Sequence, residues 1–160
     1  MKKIVSIMAI VAILSLVCMS LAADPLPPIP PMPEQFKDIQ VVKPDSSIPK
    51  EVTDFIGEWE GVWQYEGPAQ WGKFGQEVRR AKLIIYEASS SGAIKVIYGV
   101  SGIPSGGGWR KYDTAISKDG ENRYFSFFPP SGFIMQFCLQ NGLLSGRYRS
   151  NLAIEMKKVK

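Results

Sequence analysis

Residues 57–65 read GEWEGVWQY. Gly57, Trp59, Gly61, Trp63 and Tyr65 fall on one parity, while Glu58, Glu60 and Gln64 fall on the other. A period of two over nine residues predicts a half-buried β-strand with one dry face and one wet face. The pattern recurs down the chain, at 80–87 (RAKLIIYE), 93–101 (AIKVIYGVS), 109–117 (WRKYDTAIS), 122–128 (NRYFSFF), 133–139 (FIMQFCL), 143–149 (LLSGRYR) and 152–157 (LAIEMK). The predicted inward sets include Ala81, Leu83 and Ile85, then Ile94, Val96, Tyr98 and Val100. Further along they are Phe133, Met135, Phe137 and Leu139, then Leu144, Gly146 and Tyr148, then Leu152, Ile154 and Met156.

The joints supply residues that tolerate positive φ, as tight antiparallel hairpins require: Ser90-Ser91-Gly92, Asp119-Gly120, Ser131-Gly132 and Asn141-Gly142. Longer joints fall at 67–78 and 102–108. Eight short strands in a hairpin-linked meander predict an all-β, eight-stranded antiparallel up-and-down barrel, with an open sandwich as the rival. The one helical signal, PKEVTDF at 49–55, predicts a single turn plugging one end.

Upstream of the strands the composition changes. Lys2 and Lys3 precede an uncharged, apolar stretch at 4–23, and Ser20-Leu21-Ala22 ends in small residues. This is the pattern of an export signal, with cleavage expected after Ala22 or Ala23. The alternatives are an uncleaved membrane anchor and lipidation of Cys18, against which the bulky Val17 argues. Residues 24–33 read DPLPPIPPMP, six prolines in ten, which predicts extended polyproline II rather than packed structure. All fifteen glycines and all four tryptophans lie at or beyond Gly57. The expected organisation is a signal peptide at 1–22, a proline-rich disordered linker at 23–48 serving as a spacer, and a barrel domain at 49–160.

The composition of the 160-residue chain excludes several chemistries. It contains no histidine, so no Ser-His-Asp triad, Cys-His dyad or His-containing zinc site exists within it. Its two cysteines, Cys18 and Cys138, make neither a disulfide scaffold nor a four-thiolate site. Nineteen basic against fifteen acidic residues give a net charge of +4, which falls to +2 once the signal and its two lysines are removed. That excess does not suggest nucleic acid. Glu58 and Glu60 point the same way from one strand and do not flank a cleft as glycosidase carboxylates must. Gly106-Gly107-Gly108 lacks the lysine and helix of a phosphate loop.

Gly57-Glu58-Trp59 and Gly61-Val62-Trp63, following a short helical turn and opening a meander, resemble the Gly-x-Trp start of the lipocalin and calycin barrels. The resemblance implies that one of these tryptophans closes a barrel end, with Arg147 or Arg149 stacked on it. It departs from lipocalins in its shorter strands and in lacking a C-terminal helix and a disulfide. In size it is closer to the avidin barrel, whose biotin contacts have no position-by-position match here. The WEGVW opening also resembles that of small bacterial exported domains.

The candidate ligand-binding residues are Trp59, Trp63, Tyr98, Tyr112, Tyr148 and the loop residue Trp71, a possible lid. For each, a role in core packing is the competing expectation. Phe125, Phe127 and Phe128 share no single parity, so at least one is expected at the rim, together with Phe74. Cys138 is expected to be a buried, inert thiol. These features predict an exported, periplasmic or secreted, non-enzymatic protein that binds a small apolar or amphipathic ligand and needs no cofactor or metal. The alternative is a solid barrel whose loops bind an envelope protein partner. Membrane attachment is expected only through an uncleaved or lipidated N-terminus.

Overall fold

The structure, a computed structural model, describes residues 26–65, 79–102, 108–130, 132–148 and 152–159. The expected signal, the loop bearing Trp71 and Phe74, and Arg149 lie outside these residues. The described chain forms an antiparallel sheet rolled into a nearly closed up-and-down barrel. Its strands are β1 (Gly57–Tyr65), β2 (Arg79–Ala88), β3 (Ala93–Val100), β4 (Gly108–Ala115), β5 (Ser117–Asp119), β6 (Asn122–Phe127), β7 (Met135–Gln140), β8 (Leu143–Tyr148) and β9 (Leu152–Lys158). Their order is β4-β3-β2-β1-β9-β8-β7-β6-β5, so the first and last strands are neighbours. They pair from Trp59 opposite Lys158 to Tyr65 opposite Leu152.

Nine strands replace the expected eight because the run at 109–117 is broken. β4 pairs with β3 as far as Ala115 opposite Ala93, and the Ile116 amide then donates to the Gly92 carbonyl at 2.8 Å. Beyond Ile116 the chain changes partner, and Ser117–Asp119 pairs with β6. A rolled sheet must bring its two edges together, and this bend carries the edge strand from one side of the seam to the other.

The inward sets on β2 and β3 are buried as their parity predicts, with none above 8% exposed. Short helix α1 (Glu34–Lys37) lies in the proline-rich segment, and α2 (Lys50–Thr53) follows it. As the sequence suggests, α2 forms a single turn at the start of the barrel, with Phe55 fully buried behind it. Two boundaries around the β6–β7 turn move. Phe133 and Ile134 precede β7 and are 48% and 47% exposed, and Phe128 follows β6 at 68% exposed. Cys138, expected to be buried, is half-buried because it sits on the outward parity between the inward Phe137 and Leu139.

The proline-rich segment does not stand off as a spacer. Met32, Phe36 and Ile39 pack on a second apolar cluster, formed by Ile84, Tyr86 and Ile97 on the outer face of β2 and β3. The Trp109 indole joins this cluster and donates to the Pro30 carbonyl at 2.7 Å. The ring lies flat over Gly99, where an added Cβ would come within 2.7 Å of its atoms. Further along, the Val42 amide donates to the Tyr86 carbonyl at 2.8 Å. The segment is therefore a strap along the barrel wall, held by burial of apolar side chains that would otherwise face water.

Trp109→Ala removes both the ring and the hydrogen bond to the strap. The variant should lose about 2–4 kcal/mol in urea unfolding. Hydrogen exchange at the Val42 amide should accelerate, and unchanged exchange there would show that the strap does not depend on Trp109.

Candidate functional site

The up-and-down topology gives the barrel two different ends. At one, α2 leads through Phe55 into β1. The Trp59 indole donates to the Phe55 carbonyl at 2.9 Å, and the Phe55 and Phe125 rings meet edge to face at 5.8 Å. Trp59, of Gly57-Glu58-Trp59, is 1% exposed at this end of the barrel. Its cationic partner is Lys158, whose Nζ sits 5.1 Å from the ring centroid and donates to the Asp54 carbonyl at 3.0 Å. Burial lowers the Lys158 pKa, against the pull of Asp54. Arg147, expected in that role, is exposed on the outward parity of β8. A shallow cleft of about 500 Å³ opens here between α2 and the Asn141-Gly142 turn, with Arg123 and Lys158 on its walls.

At the other end, called the mouth below, the sequence-predicted residues converge. The Trp63 indole donates to the Tyr98 hydroxyl at 2.7 Å, and both side chains are 3% exposed. Tyr148 meets the Trp63 ring edge to face at 6.4 Å. Tyr112 stacks on Phe127 with centroids 4.1 Å apart, and Tyr98 lies 5.6 Å from Phe127. Strands β1, β3, β4 and β8 thus bring together four of the six candidates, Trp63, Tyr98, Tyr112 and Tyr148. Trp59 belongs to the opposite end, and Trp71 lies outside the described residues.

Beneath this group lie buried aromatic rings in mutual contact. Phe125, Phe127 and Phe137 form a stacked pillar with centroids 5.3 to 6.3 Å apart, each at most 5% exposed. Trp63 lies edge-on to Phe137 at 6.1 Å. Tyr112 and Tyr148 are half-buried, Tyr112 on Phe127 and Tyr148 between Trp63 and Phe133. Sequence parity left the inward members of Phe125, Phe127 and Phe128 open, and the pillar identifies them as Phe125 and Phe127. Burial raises the Tyr98 phenol well above its usual range, although the Trp63 hydrogen bond opposes this. Burial also raises Tyr112. Both groups are neutral hydrogen-bonding tips at ordinary pH.

Elsewhere Glu58 and Glu60 are engaged by one lysine. Lys82 bridges Glu58 at 2.7 Å and Glu60 at 3.1 Å on the outer face of β1 and β2. Among the described residues no three carboxylate or thiol groups cluster closely enough to hold a metal. No family model matches the chain, and searches of curated proteins and of solved structures find no match either.

Tyr98→Phe leaves the buried Trp63 N–H without its acceptor and should cost about 1–3 kcal/mol in chemical denaturation. The raised folded-state pKa also fixes the sign of an alkaline effect. The unfolded phenol ionises near pH ~10 while the folded one stays protonated, so stability should fall as pH climbs past that value. The Tyr98→Phe variant should show a shallower alkaline decline than the parent, and equal slopes would contradict the assignment.

Proposed function

We propose that this chain is an exported, calycin-like barrel that binds a small apolar or amphipathic molecule at its mouth, without chemistry. One observation carries this: Trp63, Tyr98, Tyr112 and Tyr148 come from four strands into one aromatic assembly, with two half-buried rings at its top. Apolar aromatic walls with few polar groups are the usual composition of small-molecule sites. The Tyr112 hydroxyl would orient a polar group, while the rings of Tyr112 and Tyr148 would cover an apolar one. The filled pillar below makes this a shallow seat rather than a deep calyx. The engagement of Glu58 and Glu60 by Lys82 supports a non-enzymatic role, as does the absence of histidine. Export to the periplasm or beyond rests on the N-terminal pattern of two lysines and an apolar stretch.

The test is direct. Native mass spectrometry of the gently purified protein should show a retained small molecule, and titration with anilinonaphthalene sulfonate should give saturable fluorescence. Tyr112→Ala and Tyr148→Ala should each weaken probe binding by about fivefold or more, equivalent to roughly 1 kcal/mol. A protein that retains nothing and binds no probe would refute the proposal.

A further inference from the structure

We propose that the mouth end of the barrel docks on a lipid surface bearing anionic headgroups. The proposal is independent of whether the mouth also holds a ligand. Three features of the described residues coincide at this end. The first is apolar exposure. Phe128, Phe133 and Ile134, at 68%, 48% and 47% exposed, all flank the turn between β6 and β7. The other large apolar side chains exposed to this degree are the valines Val41, Val42 and Val159.

The second feature is charge. Arg79 and Arg80 open β2, Arg110 lies near the start of β4, and Arg147 lies near the end of β8. Arg80, Arg110 and Arg147 are exposed. Among the described residues, the three positions nearest this end on every strand that reaches it contain no acid. The connections outside the described residues add two acids, Glu66 and Glu77, and two bases, Lys73 and Arg149, and leave the excess unchanged. The opposite end mixes both signs, with Glu51, Asp54, Glu58, Glu87 and Asp119 among its lysines. Exposed aromatics with an excess of arginines form an interfacial surface: rings enter the headgroup boundary and guanidinium groups meet lipid phosphates.

The third feature is the course of the chain. The strap begins at the mouth, where Pro27 lies against Gly102 and Pro30 accepts from Trp109. It then descends the wall to the Tyr86 carbonyl and α2. The described chain, cleaved signal or not, therefore enters the folded unit at the same end as the apolar rim and the arginines. A protein partner would need no such coincidence, so the lipid surface is the occupant these features favour.

The experiment is flotation of the full chain with phosphatidylcholine vesicles, with and without phosphatidylglycerol, combined with hydrogen exchange. Phosphatidylglycerol should raise the bound fraction, and salt should lower it. The variant F128S/F133S/I134S should bind about tenfold less, because three exposed apolar side chains no longer leave water. R80E/R110E, altered only at exposed positions, should lose the preference for phosphatidylglycerol. Amides at 126–128 and 132–136 should gain protection on vesicles. If both variants bind like the parent, the N-terminal stretch alone accounts for the binding and the proposal is overturned. Rim amides that gain protection from an envelope protein but not from vesicles would overturn it equally.

Discussion

Between β4 and β6 the barrel wall is closed by side chains instead of a ladder of backbone bonds. The Thr114 hydroxyl donates to the Ser126 carbonyl at 2.7 Å, and Tyr112 stacks on Phe127 across the same seam. Everything else in the interior follows from that contact. Once Phe127 is fixed under Tyr112, Phe125 and Phe137 continue the stack inward, and Trp63 and Tyr98 close over it. A barrel of this strand number holds either packed side chains or one small ligand. Here the rings that close the seam also occupy the middle. Closure matters for solubility as well, since an unpaired sheet edge is a template for aggregation.

The two ends are built for different work. The α2 end is fixed by Phe55, Trp59 and Lys158, which join a buried ring to a backbone carbonyl and a partly desolvated cation. The mouth has half-buried tyrosines, exposed Phe128, Phe133 and Ile134, and arginines without acids among the described residues. The strap ties the ends together by running the length of the wall. It buries Ile84, Tyr86 and Ile97, which would otherwise form an apolar stripe on the outside of the barrel.

Strand parity made most of the interior legible because successive Cβ atoms alternate between faces, so Leu83, Val96, Phe137 and Ile154 could be placed inward from spacing alone. The broken fourth strand was invisible to the same rule. Tyr112, Thr114 and Ile116 keep one parity through the bend, and a change of pairing partner leaves no trace in the alternation. The strap was missed for a different reason. Proline composition pointed to a spacer, yet the continuous apolar runs LIIY and VIY on β2 and β3 are what strands covered on both faces look like. Met32, Phe36 and Ile39 were the covering side chains. Lys158 was equally readable in principle, since it shares the inward parity of Ile154 and Met156 and so had to end near Trp59. Arg147, the arginine that the lipocalin resemblance implies, faces outward instead.

That the pillar fills the barrel and confines a ligand to the mouth can be tested with two indole signals. Trp63 lies directly under the mouth and Trp59 at the capped end, and each N–H has its own acceptor. In nitrogen-15 NMR of the protein titrated with a nitroxide-bearing fatty acid, the Trp63 indole signal should broaden while that of Trp59 stays sharp. Equal broadening of both would mean that the ligand passes through the interior, and broadening of Trp59 alone would place the site at the opposite end.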